Sequence, residues 1–141
     1  MKRIRVIFYM VVALFLLVLF LHVMNQAPNQ ELPRTLDGME LTMEKEVYIT
    51  SAEKIGIVIH NNSETEYTGA GGGKFTIDRL FAGSWYKVPF KSDSFTTDAL
   101  GIPPGETALM YTAVSELDAE LTPGKYRARY GGMAIPFEVM E

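Results

Sequence analysis

The sequence predicts an all-β fold, a two-layer antiparallel sandwich of about seven to nine strands, carried behind one N-terminal transmembrane helix. Three observations predict it. Val6 to Met24 is a run without a charged residue, set directly behind Lys2, Arg3 and Arg5. Beyond that run, apolar residues alternate with polar ones over short stretches separated by Gly, Pro and Asn, the pattern of half-buried strands between turns. No stretch outside the anchor repeats its apolar residues with the period of a long amphipathic helix.

At about 1.5 Å of rise per residue, the apolar run approaches the roughly 30 Å of a bilayer's hydrocarbon core. A cleavable signal peptide has a shorter apolar region followed by small residues. Here His22, Val23, Met24, Asn25 and Gln26 follow, and Ala27 has Asn25 two places before it and Pro28 after it. The expectation is an uncleaved signal anchor over residues 6–24, with residues 1–5 as a basic tail. Three basic residues precede the span and the next is Arg34, so the positive-inside rule puts the N-terminus in the cytoplasm and the rest of the chain outside, at the cell membrane.

About 100 residues remain, enough for one hydrophobic core and one domain. The chain has no cysteine, which excludes disulfides, thiolate metal sites and a lipid-modified cysteine anchor. All 17 acidic residues but only 10 of the 13 basic ones lie beyond the helix, a balance of −7. That charge disfavours nucleic acid and anionic lipid surfaces as partners of the domain.

Residues 25–38 are polar, with Pro28 and Pro33, and read as a semi-extended linker lifting the domain, residues 39–141, off the bilayer. Leu41 and Met43 alternate with polar neighbours, and Val47 to Ile49 repeat the habit. In Lys54 to His60, Ile55, Ile57 and Ile59 occupy one face and Gly56, Val58 and His60 the other, before a turn at Asn61-Asn62-Ser63. Those three letters also spell a glycosylation sequon, read here as a turn.

Gly69, Gly71, Gly72 and Gly73 before Lys74 imitate a phosphate-binding loop. That motif needs a Gly where Thr68 stands and a hydroxyl where Phe75 stands, so the run is read as an approach to a strand with a bulge or close backbone contact. Lys74 to Leu80 and Trp85 to Phe90 form a hairpin closed at Gly83. Alternation along its second strand puts Tyr86, Val88 and Phe90 toward the core and Trp85 with Lys87 on the other face. Trp is enriched at binding hot spots, which makes Trp85 and Lys87 the candidate partner-binding residues. The favoured reading of Trp85 is nevertheless structural: it lies across its own hairpin or caps the sandwich edge.

After a turn at Ile102-Pro103-Pro104-Gly105, a strand runs over Ala108 to Ala113. Tyr126, Ala128 and Tyr130 then alternate with Lys125, Arg127 and Arg129, a core face against a wet face. In the last strand, Ala134 to Met140, Ile135, Phe137 and Val139 share a face opposite Pro136, and a proline without an N–H places the strand at a sheet edge or bulge. The turn Leu121-Thr122-Pro123-Gly124 running into Lys125-Tyr126 fits the tyrosine corner of immunoglobulin-like sandwiches, with Pro123, Gly124 and Tyr126 as its structural residues.

With these features in order the chain resembles the bacterial immunoglobulin-like domains of exported Gram-positive proteins over residues 41–140. The matching positions are Tyr48; Ile55, Ile57, Ile59, Asn61 and Ser63; Gly72, Phe75, Ile77 and Asp78; Gly83, Trp85, Tyr86, Val88 and Pro89; Phe95; Pro104-Gly105-Glu106; and Leu121 with Pro123 through Arg127. The resemblance implies an immunoglobulin-like sandwich in an extracytoplasmic setting and supplies no catalytic or ligand residues. Relatives often look like lipoproteins or multi-domain chains, whereas this chain pairs one domain with a helix.

An enzyme is not expected. A Ser-His-carboxylate set would have to use His60, since the other histidine, His22, lies in the anchor. Glu116, Asp118 and Glu120 could present oxygens to Ca²⁺, but the surrounding sequence lacks the Gly, Asn and Asp of calcium loops, and a solvated acidic connection explains them. No cofactor is called for. The functional expectation is an extracytoplasmic module that binds a protein partner or serves as a structural accessory. The alternative is an inhibitor of an extracytoplasmic protease presenting Gly69 to Gly73 or Ser92 to Asp98 as a rigid loop.

Overall fold

The computed structural model describes residues 1–24, 26–28, 30–69, 74–92 and 99–141. The helix α1 (Lys2–Met24) stands clear of the rest of the chain, its apolar side chains exposed along its length. Eleven strands follow among the described residues: β1 (Thr35–Leu36), β2 (Met39–Met43), β3 (Val47–Ile49), β4 (Lys54–Asn61), β5 (Tyr67–Gly69), β6 (Thr76–Phe81), β7 (Ser84–Lys87), β8 (Leu100–Ile102), β9 (Thr107–Ala113), β10 (Gly124–Tyr130) and β11 (Met133–Met140).

They form a four-stranded sheet in the order β1-β2-β4-β9, a five-stranded sheet in the order β3-β11-β10-β6-β7, and a small ribbon β5-β8. Strand pairs are antiparallel except β3 with β11. The two larger sheets bury their facing residues against each other. Leu41, Ile55, Ile57 and Ile59 from one meet Ile77, Tyr126, Ala128, Phe137 and Val139 from the other. The alternation read from Lys54 to His60 is therefore the core stripe of a central strand.

Three two-residue turns set the hairpin registers, each with both central residues at positive φ, the combination whose twist matches flanking strands. They are Asp37-Gly38, Ala82-Gly83 and Gly131-Gly132. The first joins β1 to β2 within the stretch expected to be a linker. Asp-Gly flanked by pairing residues is a strong hairpin signal, here overshadowed by the prolines before it.

Two tyrosines tie loops and sheets together where disulfides are absent. Tyr126 donates its hydroxyl to the Thr122 carbonyl at 2.8 Å and accepts from the Thr122 N–H, while its ring stacks on Phe137. Tyr48, on β3 of one sheet, accepts from the Gly56 N–H on β4 of the other at 3.0 Å.

The last strand departs from expectation. β11 is interior, flanked by β10 and β3, although it carries Pro136. On its β3 side the Ala134 N–H donates to Pro33 and the Glu138 N–H donates to Glu46. Pro136 falls between these two attachments, in a gap where no N–H is needed.

Replacing Tyr126 with Phe removes the partly buried hydrogen bonds of its hydroxyl while keeping the stack, so the domain should lose about 1 kcal/mol. A lowered urea midpoint with an unchanged slope is the expected result.

Candidate functional site

The outward face of the five-stranded sheet carries the chemistry that the strand alternation did not reveal. In register, Arg127 of β10 lies opposite Asp78 of β6 on one side and Pro136 of β11 on the other. Strand alternation puts Arg127 on a wet face, yet Asp78 is fully buried and Arg127 only 4% exposed. Arg127 Nε donates to Asp78 Oδ2 at 2.8 Å, and Arg129 adds a bond to Asp78 Oδ1 at 3.0 Å. One carboxylate is thus gripped by two guanidinium groups.

What covers them is the segment taken for a spacer. Gln26 bridges to Tyr86, and the Ala27 N–H donates to the Trp85 carbonyl at 2.9 Å, so the chain leaving α1 joins the free edge of β7. It then crosses the sheet face. Arg127 donates to the carbonyls of Pro28 and Gln30, and Pro33 accepts from Ala134. Ala27 ends 6% exposed. The physical reason is donor supply: prolines and irregular backbone offer carbonyls without a ladder, and a buried carbonyl must find a donor. Arg127 has five N–H groups to give.

Trp85 sits half-buried with its ring under the Arg127 guanidinium, 4.5 Å from the charge to the ring centroid. It lies on the face opposite the core, as alternation required, and its first partner is this arginine. Lys87 is exposed and paired in register with Asp78. On the other side of the strand, Val88 is buried, while Tyr86 reaches the chain's own helix instead of the core, its hydroxyl 2.9 Å from His22 Nε2.

Beside the crossing segment a groove of about 610 Å³ opens at the Pro136 gap. Leu80, Trp85 and Pro136 give it an apolar floor, and Lys125, Glu46 and Glu138 are among the charged residues that line it. Its size falls within the range of ligand-holding clefts.

The other sequence candidates sit apart from this face. His60 contacts the Thr42 hydroxyl at 3.2 Å. Glu116 pairs with Lys74 at 3.1 Å, and among the described residues no three His, Asp or Glu side chains gather as a metal site. Asn61, the sequon residue, is fully buried and spends its amide N–H groups on Thr65 and Ile102, so it is a turn anchor. The loop candidates at 70–73 and 93–98 lie outside the described residues. Gly69 does make a close backbone contact, since a Cβ there would strike the Tyr130 hydroxyl.

That hydroxyl is perturbed. Burial, then the neighbouring charge and hydrogen bond of Tyr67, push the Tyr130 phenol up to about 12. Folding favours the neutral form, so its contribution to stability is complete below the ordinary tyrosine value of 10.0 and is lost as pH rises through 12. Urea midpoints should fall over that window and fall less in Tyr130→Phe. For the ion cluster, Asp78→Ala leaves two arginines without their buried counter-charge and should cost about 3 to 5 kcal/mol, read as a large drop in the urea midpoint.

A family model described as a bacterial Ig-like domain matches residues 35–131. No curated protein matches the chain. Among solved structures it is similar to a mutant β-glucosidase from Listeria innocua in complex with laminaribiose, at 14% identity and a TM-score of 0.41, covering 73% of this chain and 16% of that one. It is similar also to a β-glucosidase from Erythrobacter marinus, at 11% identity and TM-score 0.44, covering 73% and 15%. A third is an alkylpurine DNA glycosylase from Pseudomonas fluorescens bound to DNA containing an abasic site analog, at 9% and 0.42, covering 74% and 31%. The chain spans less than a third of the length of each.

Proposed function

The chain belongs to the bacterial Ig-like domain family, and from that premise we propose that it is a single-pass membrane protein whose one sandwich, outside the cytoplasm, binds a protein partner through the groove beside Trp85. The observation that carries this reading is the groove itself. An apolar floor of Leu80, Trp85 and Pro136 under charges of both signs suits a polypeptide segment better than a nucleic acid or a single small anion. Lys87, exposed on the strand that holds Trp85, extends the same face.

The N-terminal helix supports the membrane setting. Its exposed apolar stretch, Arg3 to Met24, has the length and composition of a spanning segment. Lys2, Arg3 and Arg5 support an N-terminus in the cytoplasm.

The test is a photo-crosslinking residue at Lys125 of the full chain in cells. We expect a discrete adduct that disappears in Leu80→Glu, with the domain's urea midpoint nearly unchanged. An adduct indifferent to Leu80, or none, would sink the groove as the site. Retention of the adduct after residues 1–24 are removed would assign the partner to the domain; its loss would assign it to the anchor.

A further inference from the structure

We propose that the β7 side of the sandwich rests in the headgroup region of the bilayer that holds α1, with Phe81 as the lipid contact. This rests on the membrane reading given above and extends it to the domain's orientation.

Four observations converge. The chain passes from the end of α1 at Met24 to the edge of β7 within two residues, because Gln26 already pairs with Tyr86. The His22 and Tyr86 rings meet edge to face at 5.1 Å, besides their hydrogen bond. His22 belongs to the last turn of the helix, which in a spanning helix is the interface level. The same Tyr86 ring meets Phe81 edge to face at 6.5 Å, and Phe81, at the Ala82-Gly83 turn, is 65% exposed.

A tyrosine at the end of a spanning helix suits the interface level, where tyrosine is enriched, and the exposed phenylalanine attached to it is the kind of side chain that interfacial segments bury at the headgroup boundary. The remainder of the sheet is carried away from the lipid. β3, at the far end of the order β3-β11-β10-β6-β7, is four strand spacings from β7, about 19 Å at 4.8 Å each. The exterior charge of −7 argues for apolar contact with the interface and against attraction to anionic headgroups.

The absence of cysteine gives a direct experiment. Single-cysteine variants of the full chain, Leu14→Cys, Ser51→Cys and Phe81→Cys, are labelled with a fluorophore and placed in phosphatidylcholine nanodiscs containing lipid-borne quenchers at known depths. Ser51 is exposed and lies just beyond β3. The expected result is quenching of the Leu14 label by mid-bilayer quencher, of the Phe81 label by headgroup-level quencher at least threefold over Ser51, and no increase when anionic lipid is added. Equal quenching at positions 81 and 51, with Leu14 still quenched, overturns the orientation alone. So does a Phe81 label shielded from both lipid and aqueous quenchers, the sign of a protein neighbour. An unquenched Leu14 label overturns the membrane reading and this proposal with it.

Discussion

The pairing of Arg127 with Asp78 is the constraint from which the outer face of this molecule follows. A buried ion pair on its own says little about stability, since desolvation offsets much of the attraction. Here the arginine does more than neutralise a carboxylate. It bonds the Pro28 and Gln30 carbonyls and lies over the Trp85 ring, so one side chain holds the sheet, the crossing segment and the hairpin together. Arg129 on the same carboxylate fixes Asp78 from a second side. Lysine could not replace Arg127, because a point charge lacks the planar fork that serves a carboxylate and two carbonyls while stacking on an indole.

The parts of the fold legible in the sequence are those in which period and chemistry agree. Ile55, Ile57 and Ile59 could only be a buried strand face, and the turn before Tyr126 could be recognised because its hydroxyl needs a nearby carbonyl. The outer face was hidden for a definite reason. Alternation says which side of a strand a residue occupies and says nothing about what lies above that side. Arg127 and Arg129 were assigned to the correct face, and the face turned out to be covered. A signal was present: an aspartate, Asp78, in a strand that had to pair with the arginine-bearing strand. The covering segment was obscure because its proline-rich polar composition, the mark of a spacer, is equally suitable for a backbone that lends carbonyls to an arginine.

Using those residues as cover changes how the domain is held. Fourteen residues of free linker could reach on the order of 45 Å when extended. Docked, they provide almost no standoff, because pairing begins at Gln26 and continues through Ala27, Pro28, Gln30 and Pro33 to the β1–β2 hairpin. The described residues between helix and sandwich are docked on the domain's own sheet. A chain without disulfides fastens its N-terminal approach with Arg127 and backbone bonds to β7 and β11, and its sheets and loops with Tyr48 and Tyr126.

This arrangement joins the groove to the approach from the helix through shared atoms. Trp85 lines the groove with its side chain, accepts the Ala27 N–H on its carbonyl and lies beneath Arg127, which holds Pro28 and Gln30. An occupant that left the indole in place would bind against a preassembled wall and would not have to order it first, which favours affinity. One that displaced the indole would also remove the stacking surface under Arg127 and loosen the segment that follows α1. The contacts of this tryptophan with Arg127 and Ala27 are those of a structural residue, and the proposed occupant of the groove would have to bind without breaking them.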